Sequence, residues 1–240
     1  MTHAIIVSHG QPSDPEPAEA EIAALAARVQ AVMPGWQVAS ATLAMPGALA
    51  AQLAQAGPGG LIYPLFMAGG WFTKQNLPAR LAQAGAVDWS VLEPFGLDDA
   101  VQALTVTLAV EAAAGRIAET PVLLAAHGSF RSTAPSEVAY AVANRVRQAG
   151  FARVKAAFID QEPRIADVAA DFGPDAVVLP FFAARGGHVI DDLPQALAAA
   201  GSGARLLNPV GCDPRVPALI AAALQRGADQ AAAAKEVASD

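Results

Sequence analysis

Two histidines and two carboxylates carry the most pointed chemistry in this chain of 240 residues. His127 ends the run Val122-Leu123-Leu124-Ala125-Ala126, and His188 follows Gly186-Gly187 after the apolar stretch 177–182. Asp160 and Glu162 lie between them in Phe158-Ile159-Asp160-Gln161-Glu162-Pro163. Each histidine stands where a strand hands over to a helix. Imidazole is a natural ligand for first-row divalent metals, and it titrates near neutrality, so its lone pair is available around pH 7. A carboxylate beside such a pair supplies a proton acceptor or a third ligand. The chemistry expected of these four residues is therefore metal binding next to a base.

What has to bring them together is the order of the elements. Apolar runs predict strands at 4–8, 37–43, 61–66 and 89–92, then again at 121–126, 154–159, 176–182 and 205–207. Helical spacing of apolar residues predicts helices between them, at 18–33, to about 55, at 73–84, 97–114, 136–148, 163–170, 190–200 and 215–226. Strand and helix alternate throughout, which implies the α/β class, with parallel sheets covered by helices on both faces. Right-handed crossovers put all carboxyl ends of the strands on one edge, where ligands bind in open α/β sheets. His127, the 160–162 segment and His188 follow three successive strands, so they are expected to converge there.

The order of elements occurs twice. His9 and His127, Pro64 and Pro180, and Glu93-Pro94 and Asn208-Pro209 recur at a spacing of 115 to 118 residues. Two similar halves follow, residues 1–115 and 120–240. In this alignment Trp71 occupies the place of His188, and Leu43 and Met45 occupy those of Asp160 and Glu162. Only His9 is kept. The N-terminal half is thus expected to be catalytically degenerate, with the C-terminal half carrying the site. Fusion of two halves replaces the homodimer that a single repeat would need, so a monomer is favoured.

Composition bounds the rest. Hydrophobic residues make up 54% and charged residues 15%, which excludes a disordered chain. The apolar runs stop well short of the ~18 residues of a membrane span, and no basic, hydrophobic leader precedes the first strand, so a cytoplasmic protein with no membrane partner is expected. A single cysteine, Cys212, rules out an internal disulfide and a cysteine metal framework. The net charge of −7 argues against nucleic acid as a partner.

The His127-Gly128-Ser129 turn, the Phe158-x-Asp160 segment with its Glu162-Pro163, and the pattern P-x-F-x-x-x-G-x-H-x-x-x-D-x-P from Pro180 to Pro194 together resemble the class II chelatases, which insert cobalt, iron or nickel into sirohydrochlorin-type tetrapyrroles. The resemblance covers nearly the whole chain, in the double-length form with two fused repeats. It implies that His127 and His188 hold the incoming divalent metal while an acid helps remove two pyrrole protons. The metal is then a substrate, and no organic cofactor is implied. The family's acid directly follows Phe-Leu; here Asp160 holds that place and Glu162 stands two residues on, and both are candidates. Such macrocycles carry many carboxylates, for which Arg131 and Arg185 are candidate bidentate partners and Ser129 a candidate contact.

Simpler readings compete. A loop histidine taken singly is more often structural than functional, and Asp191 and Asp192 lie where acids favour a helix macrodipole. Ser129 has an ordinary role as a turn or cap residue. A non-catalytic metal or tetrapyrrole carrier is the main alternative function. A histidine phosphatase is disfavoured because Ser8 and Ala126, not arginine, precede His9 and His127.

Overall fold

The computed structural model describes residues 1–237 and contains two four-stranded sheets in which every paired strand is parallel. The first comprises β1 (Thr2–Ser8), β2 (Trp36–Thr42), β3 (Gly60–Pro64) and β4 (Trp89–Val91), in the order β2-β1-β3-β4. The second comprises β5 (Val122–Ala126), β6 (Val154–Phe158), β7 (Val177–Pro180) and β8 (Arg205–Leu206), in the order β6-β5-β7-β8. The central strands of the second sheet, β5 and β7, are buried end to end, and those of the first, β1 and β3, are buried over Ala4–Val7 and Leu61–Pro64. That is what a parallel sheet covered on both faces requires, and it is why these strands read as unbroken apolar runs.

Among the described residues, eight α-helices supply the cover: α1 (Pro15–Ala31), α2 (Ala48–Ala56), α3 (Leu77–Gln83), α4 (Asp99–Ala113), α5 (Ala134–Gln148), α6 (Ile165–Ala169), α7 (Leu193–Ala199) and α8 (Val216–Val237). In the first sheet, Ile5, Val7 and Ile62 pack with Leu49, Leu53, Leu77 and Leu81 of α2 and α3. In the second, Leu123, Ala125 and Val178 pack with Ile165, Val168, Leu193 and Leu197 of α6 and α7.

The opposite face of each sheet is covered differently from what a plain tandem of residues 1–115 and 120–240 implies. Two compact units form, one of Met1–Asp98 with Pro214–Asp240 and the other of Asp99–Asp213. Helix α4 packs on β7 and α5, whereas α8 packs on β3 and α1. The last helix of each sequence repeat thus belongs to the unit built by the other repeat. Helix α8 is tied into its unit by Arg226, whose Nη2 lies 2.8 Å from Asp98 Oδ2, and by Gly227, where an added Cβ would come within 2.6 Å of the Leu92 side chain. Burial, and secondarily the nearby Asp98, pushes the Tyr63 phenol above its ordinary range, against the opposing effect of Arg226, so it stays neutral.

Two glycines fix loops at the carboxyl edge. Gly211 donates its N–H to Phe182 O at 2.9 Å, and a Cβ there would lie 1.9 Å from Ala183 O. Gly96 does the same against Phe66 and Met67, with the corresponding clash at 2.1 Å. Backbone cannot yield as a flexible side chain can. Gly211→Ala is therefore expected to destabilise the protein by about 3 kcal/mol, read as a fall in melting temperature. Gly173→Ala, where nothing lies within 4 Å of the new carbon, is expected to melt with the wild type. Equal melting of the two variants would contradict the close approach.

Candidate metal centre

In each unit the chain runs from the first strand to a neighbour on one side and then crosses to the other side. The crevice at such a topological switch point is where an open α/β sheet binds ligands. In the second unit it lies between the carboxyl ends of β5 and β7, and His127 and His188 come from the two loops that flank it. Their rings meet edge to face, with centroids 4.4 Å apart and planes at 90°. The two Nε2 atoms are 3.0 Å apart.

The other ring nitrogens are both occupied. His127 Nδ1 faces the Gly128 carbonyl oxygen at 3.0 Å, with Asp160 Oδ2 at 3.5 Å. His188 Nδ1 faces Asp192 Oδ2 at 2.6 Å. A carbonyl and a carboxylate accept hydrogen bonds, so the network assigns the hydrogen of both rings to Nδ1 and turns both Nε2 lone pairs toward one point. Lone pairs at 3.0 Å repel unless something positive lies between them, a proton or a metal ion. Two nitrogens each about 2.1 Å from one cation, and 3.0 Å from each other, subtend about 90° at the metal. The spacing fits adjacent coordination positions of a first-row ion. Among the described residues no group of three or more His, Cys, Asp or Glu forms a metal cage.

The backbone explains why the loops hold. Asp160 N–H donates to His127 O at 2.9 Å, continuing the β5–β6 ladder one step beyond the strands. Gly128, at φ 74°, leaves no room for a side chain, because a Cβ would lie 2.6 Å from Gln161 Cγ and 2.9 Å from Phe158 Cβ. Gln161 Oε1 accepts from Ser129 N–H at 2.8 Å. His188 opens a π turn, His188–Asp192, in which Leu193 N–H reaches back to His188 O before α7 continues. Such turns are frequent at functional sites.

The sequence-predicted residues divide clearly. His127, His188 and Asp160 are brought together. Glu162 is not; its carboxylate accepts from Arg164 N–H at 3.2 Å and lies 3.8 Å from Arg164 Nε, with 78% of the side chain exposed. Arg131 and Arg185 are exposed on the two loops that carry the histidines, and Ser129 Oγ accepts from Arg131 N–H at 3.1 Å. Sequence reasoning missed Gln161, which lies between the two acids it considered. For Asp192, which the family pattern also includes, it favoured a macrodipole role, although a spacing of four from His188 puts both on one helix face.

The first unit repeats this geometry without the second imidazole and the acid. His9 Nδ1 faces Gly10 O at 2.7 Å, and the ring meets that of Phe72 edge to face, with centroids 4.4 Å apart and planes at 89°. Phe72 also opens a π turn, Phe72–Asn76. It is therefore Phe72, not Trp71, that occupies the place of His188; matching the two Gly-Gly pairs shifts the alignment by one residue. Strand register agrees, since Ala4 pairs with Leu61 and Val122 with Val177. Likewise Ala44 N–H donates to His9 O at 2.9 Å, as Asp160 does to His127, so Ala44, not Leu43, is the counterpart of Asp160. Trp71 is 57% exposed, edge-on to Phe72.

Comparison with known proteins agrees with this architecture. A family model described as CbiX matches residues 121–227. The probable sirohydrochlorin cobaltochelatase of Halobacterium salinarum is 28% identical over 162 residues, 56% of this chain and 55% of that protein, so the match spans about half its length. The solved structure of CbiX, the terminal enzyme for biosynthesis of siroheme in denitrifying bacteria, is 48% identical over 93% of this chain and 98% of its own, with a TM-score of 0.86. SirB from Bacillus subtilis, solved with Fe3+, shares the fold at 18% identity and a TM-score of 0.78, covering 98% of both chains. With nearly half its residues identical over almost its full length to a solved CbiX, the chain belongs to the CbiX family of chelatases.

Proposed function

We propose that this chain is a chelatase that inserts a divalent metal, cobalt, iron or nickel, into a sirohydrochlorin-type tetrapyrrole. The observation that carries the reading is the pair of Nε2 atoms at 3.0 Å, each ring held from behind through Nδ1. Insertion strips water from the ion, seats it on four ring nitrogens and releases two protons. A pair of imidazoles suits the first step, because two protein ligands leave most of the coordination sphere open for transfer. A resident metal cofactor has three or four protein ligands as a rule. The two-ligand arrangement supports reading the metal as substrate.

Asp160 is the acid that acts. Its carboxylate lies 3.5 Å from His127 Nδ1 and is about 39% exposed, open to a proton arriving from the macrocycle, whereas Glu162 is engaged by Arg164. Arg131 and Arg185 receive carboxylates at the rim of the crevice, and Ser129 lies on the same loop. The first unit is catalytically silent. Its counterparts of His188 and Asp160 are Phe72 and Ala44, neither of which binds a metal or a proton.

Anaerobic mixing with sirohydrochlorin and Co2+, followed by the absorption of the macrocycle, tests both parts. The wild type is expected to accelerate metallation over the spontaneous rate. Asp160→Asn is expected to slow it about 100-fold, and Glu162→Gln by no more than about twofold. The reverse order would assign the acid to Glu162. Binding of the macrocycle without acceleration by Co2+, Ni2+ or Fe2+ would replace the enzyme reading with that of a carrier.

A further inference from the structure

Asp191 stands in the first turn of the π turn and Asp192 closes that turn at the N-cap of α7, both near a helix start, where an acid gains from the macrodipole. That general benefit does not account for Asp192, because the chain contains its own control. The first unit has the same π turn leading into the same helix, and its corresponding residue is Asn76. Asn76 Oδ1 accepts from Arg80 Nε at 3.1 Å. Where the aromatic ring at the start of the turn has no N–H, in Phe72, the carboxylate is absent. Where the ring is His188, the carboxylate is present and lies 2.6 Å from Nδ1. Acid and imidazole vary together between two otherwise matching backbones.

The geometry points to Asp192 as a positioning residue for His188. Its carboxylate accepts the Nδ1 hydrogen and so fixes the tautomer, fixes the rotation of the ring, and leaves the Nε2 lone pair aimed at His127 Nε2. A charged acceptor at this distance also raises the basicity of the distal nitrogen, as carboxylates behind metal-bound histidines do. His127 has a neutral carbonyl in the same role, with Asp160 0.5 Å further off, so His188 is the more strongly donating ligand of the pair. This inference rests on the reading of the pair as metal ligands.

Three variants separate positioning from helix capping: Asp192→Asn, Asp192→Ala and Asp191→Asn. Each is titrated with Co2+ alone, and the tautomer of His188 is read from the ring nitrogens of 15N-histidine-labelled protein. Both changes at Asp192 are expected to weaken Co2+ binding by about 10–100-fold, alanine more than asparagine, with the KM for the macrocycle held within about twofold and kcat reduced. Asp191→Asn, which removes a charge from the same helix start, is expected to bind Co2+ as the wild type does. The proposal is overturned if Asp191→Asn weakens binding as much as Asp192→Asn, or if Asp192→Ala binds normally. Should the wild type itself not bind Co2+, the metal-ligand reading fails, while the NMR result still decides the contact: an unchanged Nδ1–H tautomer in Asp192→Ala would overturn it.

Discussion

Replacing His188 with phenylalanine is expected to bring metallation down to the spontaneous rate while leaving the fold unchanged. The first unit shows why this substitution is gentler than alanine. Phe72 makes the same edge-to-face contact with His9 that His188 makes with His127, at the same 4.4 Å centroid separation and within a degree of the same angle. The ring at position 188 is also partly exposed, with 44% of the side chain open, so the larger phenyl group has room. What disappears is one of two ligands. With His127 alone, the ion has a single weak attachment, and Co2+ affinity is expected to drop by at least about 100-fold, the upper end of what losing even an outer-sphere partner costs. The check is an anaerobic Co2+ titration and a metallation assay beside a thermal melt. Metallation retained within about tenfold of the wild type would remove His188 from the mechanism.

The converse change is expected to build a second metal site in the first unit. The backbone is already in place: the π turn, the His9 ring held through Nδ1 by Gly10 O, and the facing aromatic position at Phe72. Phe72→His supplies the second ligand, and Asn76→Asp supplies the acceptor behind it. A third change is needed, because Arg80 already holds the side chain at position 76 and would capture a carboxylate there by a charge-assisted bond. Arg80→Ala releases it, at the cost of about 1 kcal/mol for the bond from Arg80 Nη1 to Leu43 O. The triple variant is expected to bind two equivalents of Co2+ per chain, against one for the wild type. The double variant that keeps Arg80 is expected to bind the second equivalent more weakly. A stoichiometry that stays at one in the triple variant would show that unit 1 lacks more than these side chains.

The sirohydrochlorin chelatase family was legible from Pro180 to Pro194 and from the histidine turn at 127–129, because short motifs at strand ends keep their spacing whatever surrounds them. Convergence of His127, Asp160 and His188 was legible as well. Alternation of strand and helix forces parallel pairing, and parallel pairing puts every post-strand loop on one edge. The same periodicity carries no information beyond the last ladder residue. Asp160 turns toward the imidazole and Glu162 toward Arg164, although two residues separate them and both are acids in one loop. A loop has no repeat from which a side-chain direction can be read.

Register slipped for a related reason. Aligned by composition, the loops put Trp71 and Leu43 opposite His188 and Asp160, whereas the ladder and the π turns put Phe72 and Ala44 there. A match of glycines is a match of composition. A match of hydrogen bonds is a match of place.

By itself, then, the sequence determined the class of fold, the duplication, the edge on which chemistry occurs and the pair of imidazoles that meet there. These follow from local propensity and from the period of apolar residues, both of which are properties of contiguous chain. The tertiary structure alone decided which acid faces which ring, that Asp192 stands behind His188, and which sheet the last helix of each repeat covers. Helices α4 and α8 each present an apolar face that a sheet must bury, and the face says nothing about which sheet. Only the packing of Val101, Leu104 and Ala109 in one unit, and of Ile220 and Leu224 in the other, makes that choice.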